Sequence, residues 1–106
     1  MDAAAIAAAR PVIENPAAAK DLQLSAWTVV AHAQFDLEDY QNAETAYQQV
    51  LARSGRNGEQ YGKLQEKLAA SIYKQGEQEK QAGNLSGAAE HFLRIADTVP
   101  GSSVNV

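Results

Sequence analysis

The stretch LSAWTVVAHAQFDLEDYQNAETAYQQVL, residues 24–51, decides how the chain folds. Its apolar residues Leu24, Trp27, Val30, Ala31 and Leu37 follow a helical period and share one face of an α-helix. Glu38-Asp39-Tyr40 interrupts that pattern, with Asp39 placed to cap a second helix on which Ala43, Ala46, Tyr47, Val50 and Leu51 lie together. So short a link between two amphipathic helices folds them back on each other as an antiparallel hairpin.

Outward from this hairpin, Asn15-Pro16 reads as the start of its first helix, Asn as the cap and Pro at the first helical position. The second helix is expected to end by Ser54-Gly55, and residues 55–58 read as a loop in which Asn57 and Gln60 form a capping box. A third, long helix then covers residues 59–82, with Leu64, Leu68, Ala69, Ile72 and Tyr73 on its apolar side and Gly83 just past its end. Asn84 caps a fourth helix, which places Ala88, Phe92, Ile95 and Ala96 on one face and stops before Pro100-Gly101. Residues 101–106 are a frayed tail or the start of a truncated repeat.

Composition agrees with this all-α reading. Alanine fills about a fifth of the 106 positions, and Gln, Glu, Leu and Lys are the other common residues, all good helix formers. A net charge of -4, with nine basic residues scattered among thirteen acids, opposes a nucleic-acid partner, because a phosphate backbone is gripped by clustered Lys and Arg. No apolar run is long enough for direct membrane insertion. The absence of cysteine removes disulfides and thiolate chemistry, and leaves bacterial cytoplasm and periplasm equally open.

The chain also repeats itself. Trp27, Ala31, Tyr40, Ala43, Tyr47 and Leu51 correspond to Ile72, Gly76, Leu85, Ala88, Phe92 and Ala96, each pair 45 positions apart. This pattern resembles the tetratricopeptide repeat: a large apolar residue, a small residue four later, an aromatic at the turn, an alanine and a second aromatic. Pro100 stands at the family's terminal proline. The chain departs from the family at Gly55 (proline is usual), at Gln75 and Glu79 (apolar or aromatic residues are usual), and in its 45-residue period, which exceeds the usual 34 by eleven residues placed before Ala69.

The resemblance implies antiparallel hairpins stacked as a right-handed solenoid, with residues 16–55 as the first hairpin and 56–100 as the second. Residues 1–15 fit the last helix of a preceding repeat, although that Ala-rich run has no feature that decides it. Gly76 becomes a packing glycine, since a glycine inside a helix costs about 1 kcal/mol relative to alanine and needs such a reason. Two hairpins are fewer than the roughly three repeats that a solenoid needs, so self-association or stacking on further repeats is expected.

In this family the first helix of each hairpin lines a groove that holds a partner protein or peptide. Carried over by position, the groove presents Ser25, Thr28, His32, Phe35 and Asp36 from one hairpin and Tyr73, Glu77 and Lys80 from the other. Phe35 and Tyr73 are the expected anchors. Thr28 and His32 stand where the family's carboxylate-binding Lys and Asn would be, so chaperone-tail binding is not implied. The alternative is a structural segment of a larger cell-envelope protein with no groove ligand.

Catalysis has little to stand on. His32 and His91 fall in different helices without partners at metal-ligand spacing, so no metal and no cofactor is expected. Ser25, Ser71 and Asp36 near His32 lack any nucleophile elbow. Residues 58–63 have one residue too few between their glycines for a phosphate loop, with Leu64 in place of Ser or Thr. Asn84-Leu85-Ser86 reads as a helix cap before it reads as a glycosylation sequon.

Overall fold

The computed structural model describes residues 2–55 and 58–98, so the expectations for Asn57, Pro100 and the 101–106 tail fall outside it. The described residues form five helices and no strand: α1 (Asp2–Ile13), α2 (Lys20–Asp36), α3 (Tyr40–Arg53), α4 (Glu59–Gln81) and α5 (Leu85–Thr98). None is long and apolar enough to cross a membrane.

The Ala-rich start folds as α1 and packs Ile6, Ala9, Val12 and Ile13 into the core beside α2. The expected helix start at Asn15-Pro16 is corrected: α2 begins at Lys20, with Ala19 at its cap position. Asn15 instead closes the turn between the two helices. Its side-chain oxygen accepts the N–H of Ala17 at 3.0 Å, and its carbonyl accepts both the N–H of Ala18 and the side-chain amide of Gln23. A local side-chain bond to a nearby N–H thus outcompetes the capping role.

The three-residue links after α2 and after α4 have the same construction. The N–H of Glu38 bonds to the carbonyl of Phe35 and that of Asp39 to Gln34; 45 positions on, Gly83 bonds to Lys80 and Asn84 to Glu79. Each is a Schellman ending, with a left-handed residue that turns the chain back: Glu38 at φ 62° and Gly83 at φ 88°. The ends of α2 and α4 and the starts of α3 and α5 accordingly coincide when 45 is added to each number. Asn84 caps α5 as expected, accepting the N–H of Gly87 at 3.0 Å. Asp39 occupies the cap position of α3 but makes no capping bond, and its carboxylate takes the amide of Asn42 instead.

Side-chain contacts run in opposite senses along paired helices: Phe35 meets Tyr40, His32 meets Tyr47 and Arg53 lies over Trp27, so α2 and α3 are antiparallel. Each helix packs on its neighbours in sequence. Beyond those, Lys67 of α4 reaches Phe35 of α2, and Arg94 of α5 reaches Glu44 of α3. The least extent of the molecule, 20 Å, is about two helix diameters.

One core runs from Ala9 to Ile95, with Tyr47, Val50 and Ile72 fully buried among Ala31, Ala43 and Ala69. These alanines are what allow the helices to approach closely. At Gly76 the constraint is tighter, because a Cβ there would collide with the ring of Phe92. Two expected core positions are corrected. Leu37 is half exposed because it is the residue after the last turn of α2, and Ala96 is exposed because no described helix covers that side of α5.

Candidate interaction groove on α2 and α4

The last two turns of α2 hold His32, Phe35 and Asp36. Phe35 is half-buried, edge-on to Tyr40 at 5.1 Å and to Tyr47 at 6.4 Å between ring centroids. Its ring also carries the ammonium of Lys67 at 4.5 Å, which joins α2 to the open face of α4. Phe35 is therefore packed against the core on one side and carries the Lys67 ammonium on its ring.

His32 is exposed at its edge, yet its Nδ1 lies 2.7 Å from the hydroxyl of Tyr47. That hydroxyl belongs to a fully buried ring and needs a partner, which the imidazole supplies. Burial lowers the pKa of His32, Lys67 lowers it further and Asp36 opposes them. The ring is held neutral, so it bonds and packs here and carries no charge toward a ligand at neutral pH. Burial, and to a lesser extent Asp36, push the phenol of Tyr47 upward.

Thr28 lies one turn earlier, and its hydroxyl bonds back to the carbonyl of Leu24 at 2.7 Å. With its hydroxyl hydrogen used there, it is a wall residue more than a donor.

On α4, Tyr73 stacks at a tilt on Phe92 of α5, with centroids 5.3 Å apart. Tyr73, Glu77 and Lys80 line one cleft together with Gln81 and Phe92. None of Ser25, Thr28, His32, Phe35 or Asp36 lines that cleft, so the eight expected residues fall into two sets, five on α2 and three on α4. Lys63, Lys67 and Lys74, all exposed, follow helical spacing along α4. Lys74 pairs loosely with Glu77 at 3.5 Å.

Sequence reasoning missed Lys67, whose neighbour Phe35 is 32 positions away with nothing local to link them. It also missed a polar bridge behind the groove. Arg94 donates to both carboxylate oxygens of Glu44, at 2.6 and 2.8 Å, and the buried Gln75 donates to the same carboxylate at 2.7 Å. Gln75, a departure from the repeat pattern, is thus the residue that ties α3 to α4. A separate cavity between α1 and α2 is lined by Ile6, Ile13, Trp27, Val30 and Gln34 and holds none of the expected groove residues.

Among the described residues no group of three or more His, Asp or Glu side chains is placed to hold a metal ion. Compared with known proteins, the chain matches no family model, no curated protein and no solved structure.

Proposed function

We propose that the chain is a protein-binding module of the tetratricopeptide type, its hairpins stacked as a solenoid, which holds a partner peptide across the face formed by α2 and α4. The observation that carries the reading is the contact of Lys67 with Phe35, in which an exposed basic side chain of α4 reaches over an aromatic ring of α2. The coincidence of helix ends at a 45-residue offset supports the repeat on which the reading depends. The peptide would present acidic side chains to Lys63, Lys67 and Lys74 and an apolar one to Tyr73. Asp36, Glu77 and Lys80 at the margins would set its register, and Thr28 and His32 would shape the wall.

A peptide library selected on the purified chain, followed by mapping of amide shifts, tests this. Selected peptides should be acidic and should perturb His32, Phe35, Asp36, Lys67 and Tyr73. A folded Lys67→Glu/Lys74→Glu variant should lose them. Undiminished binding by that variant, or shifts centred elsewhere, would overturn the assignment. Charge reversal is a cleaner probe than truncation of Phe35 or Tyr73, because both rings also pack against neighbouring helices.

A further inference from the structure

Helix α5 has apolar residues on a broad arc, and only part of that arc is used. Ala88 and Ile95 are buried. Leu85, Ala89, Phe92, Leu93 and Ala96 follow at helical spacing, three turns long, and form a second strip. Leu85 is 67% exposed and Leu93 76%, Ala89 and Ala96 are exposed, and only Phe92 is half-buried. A scattered exposed leucine is ordinary, but a continuous strip of five apolar residues along one helix face marks a contact surface.

The first hairpin shows what such a strip is for. Shifted back by 45 positions, Leu85, Ala89, Phe92 and Ala96 become Tyr40, Glu44, Tyr47 and Leu51. Those four are buried or half-buried, while Gln48, the equivalent of Leu93, is exposed. Helix α4 packs on α3, and its Gln75 bonds to the carbonyl of Tyr40 and to the carboxylate of Glu44. Likewise Ala43 and Val50, the equivalents of Ala88 and Ile95, are fully buried. Tyr40 and Tyr47 also meet Phe35 and His32 of α2, so it is the Glu44 side of the strip that α4 covers, and its equivalent on α5, at Leu85 and Ala89, is open. The polar member of the α3 strip, Glu44, is replaced by Ala89, so the open seat is wholly apolar.

Charge narrows the occupant. The outer edge of the strip carries Glu90 and Asp97, both exposed and without an ion pair among the described residues. Arg94, further round, is already committed to Glu44. Two copies joined antiparallel through α5 would bring the Glu90 and Asp97 edges together, like charge against like charge. Joined parallel, they would need the edge that α4 occupies. The geometry points to a partner helix distinct from this chain's own α5: an amphipathic helix with small and aliphatic residues on its contact face and Lys or Arg along one flank, seated on α5 as α4 is seated on α3. This holds independently of any peptide on α2 and α4.

The probe is a pair of synthetic helical peptides of about 18 residues, long enough for the three-turn strip. Both carry the same Leu and Ala face; one has Lys and the other Glu along the flanks. With the isotope-labelled full chain, the Lys-flanked peptide should shift amides of residues 85–97. It should bind roughly tenfold more tightly than its Glu-flanked twin at low salt, as a pair of rim charges allows. Leu85→Glu/Leu93→Glu should abolish binding while helical content is kept, since both side chains are exposed in the free chain. Equal affinity for the two peptides, shifts confined to α2 and α4, or self-association of the wild-type chain that the double variant removes would each overturn the proposal.

Discussion

Arg94 and Glu44 sit 50 positions apart, and the guanidinium of the one grips both oxygens of the other at 2.6 and 2.8 Å, which fastens α5 to the first hairpin. Gln75 bonds to the same carboxylate from α4, so three helices meet on one charged group. Glu44→Gln keeps the shape but removes the charge that both donors use. Charge-assisted bonds contribute about 1.5–3 kcal/mol each when shielded, and the partial exposure of Arg94 argues for the low end, so a loss of about 1–2 kcal/mol is expected. Urea unfolding of the single variants and of the Glu44→Gln/Arg94→Gln pair measures it. Additive losses in that cycle would show that the two groups are not coupled.

Acid should loosen the fold in two stages with the same sign. Burial alone would raise the pKa of Glu44, but hydrogen bonds from Arg94 and Gln75 and nearby positive charge outweigh it and hold it below the ordinary 4.5. Its stabilisation is complete above that value and is lost as pH falls through the lowered one, because the unfolded chain takes up the proton first. The pKa of His32 is also depressed, below 6.5, so in its window too the unfolded chain binds a proton more readily and stability falls as pH drops below 6.5. Chemical denaturation at pH 7.5, 5.5 and 3.5 reads both stages. If the difference in stability between wild type and His32→Gln is the same at pH 7.5 and 5.5, the histidine stage is absent.

Gly76 should resist replacement by the better helix former. Alanine brings a propensity gain of about 1 kcal/mol. Its Cβ would meet the Phe92 ring, and overpacking of that kind costs about 1–3 kcal/mol. Gly76→Ala is therefore expected to be destabilised on balance in thermal unfolding, and Phe92→Leu in the same chain to restore part of the loss. A Gly76→Ala variant at least as stable as wild type would mean that the ring swings aside freely.

The parts of the molecule legible in the sequence are those written in short-range chemistry. Helical period marked α3 and α4 nearly to the residue, Gly83 and Asn84 announced the turn between α4 and α5, and the resemblance to the repeat family implied the packing glycine. Asn15 misled because one side chain can close a turn or cap a helix, and only the surrounding chain decides which. The polar bridge was invisible: Glu44, Gln75 and Arg94 each look like ordinary solvated residues on their own helices, and only packing brings them together. At the candidate site, the positions on α2 and α4 were those the family resemblance implied, whereas the contact of Lys67 depended on the distance between two helices, which no local pattern records.

The twin turns supply a test in which one chain is its own control. Gly83 and Glu38 occupy equivalent left-handed positions, at φ 88° and 62°, and make equivalent backbone bonds, but only one of them is glycine. A side chain at a left-handed position costs about 1–2 kcal/mol through the clash of Cβ with the backbone. Glu38→Gly removes that strain while giving the unfolded chain more freedom, worth about 0.5–1 kcal/mol in the opposite sense. A net gain of a few tenths to about 1 kcal/mol is expected. The bond from the Gln78 side chain to the Glu38 carbonyl, at 3.4 Å, uses the backbone and survives the change. Gly83→Ala should lose about 1 kcal/mol, because nothing near it clashes and the cost is conformational alone. Thermal unfolding of both variants should move the midpoints in opposite directions. A fall in both would mean that Glu38 stabilises its turn through its side chain, and that the two links are alike in backbone only.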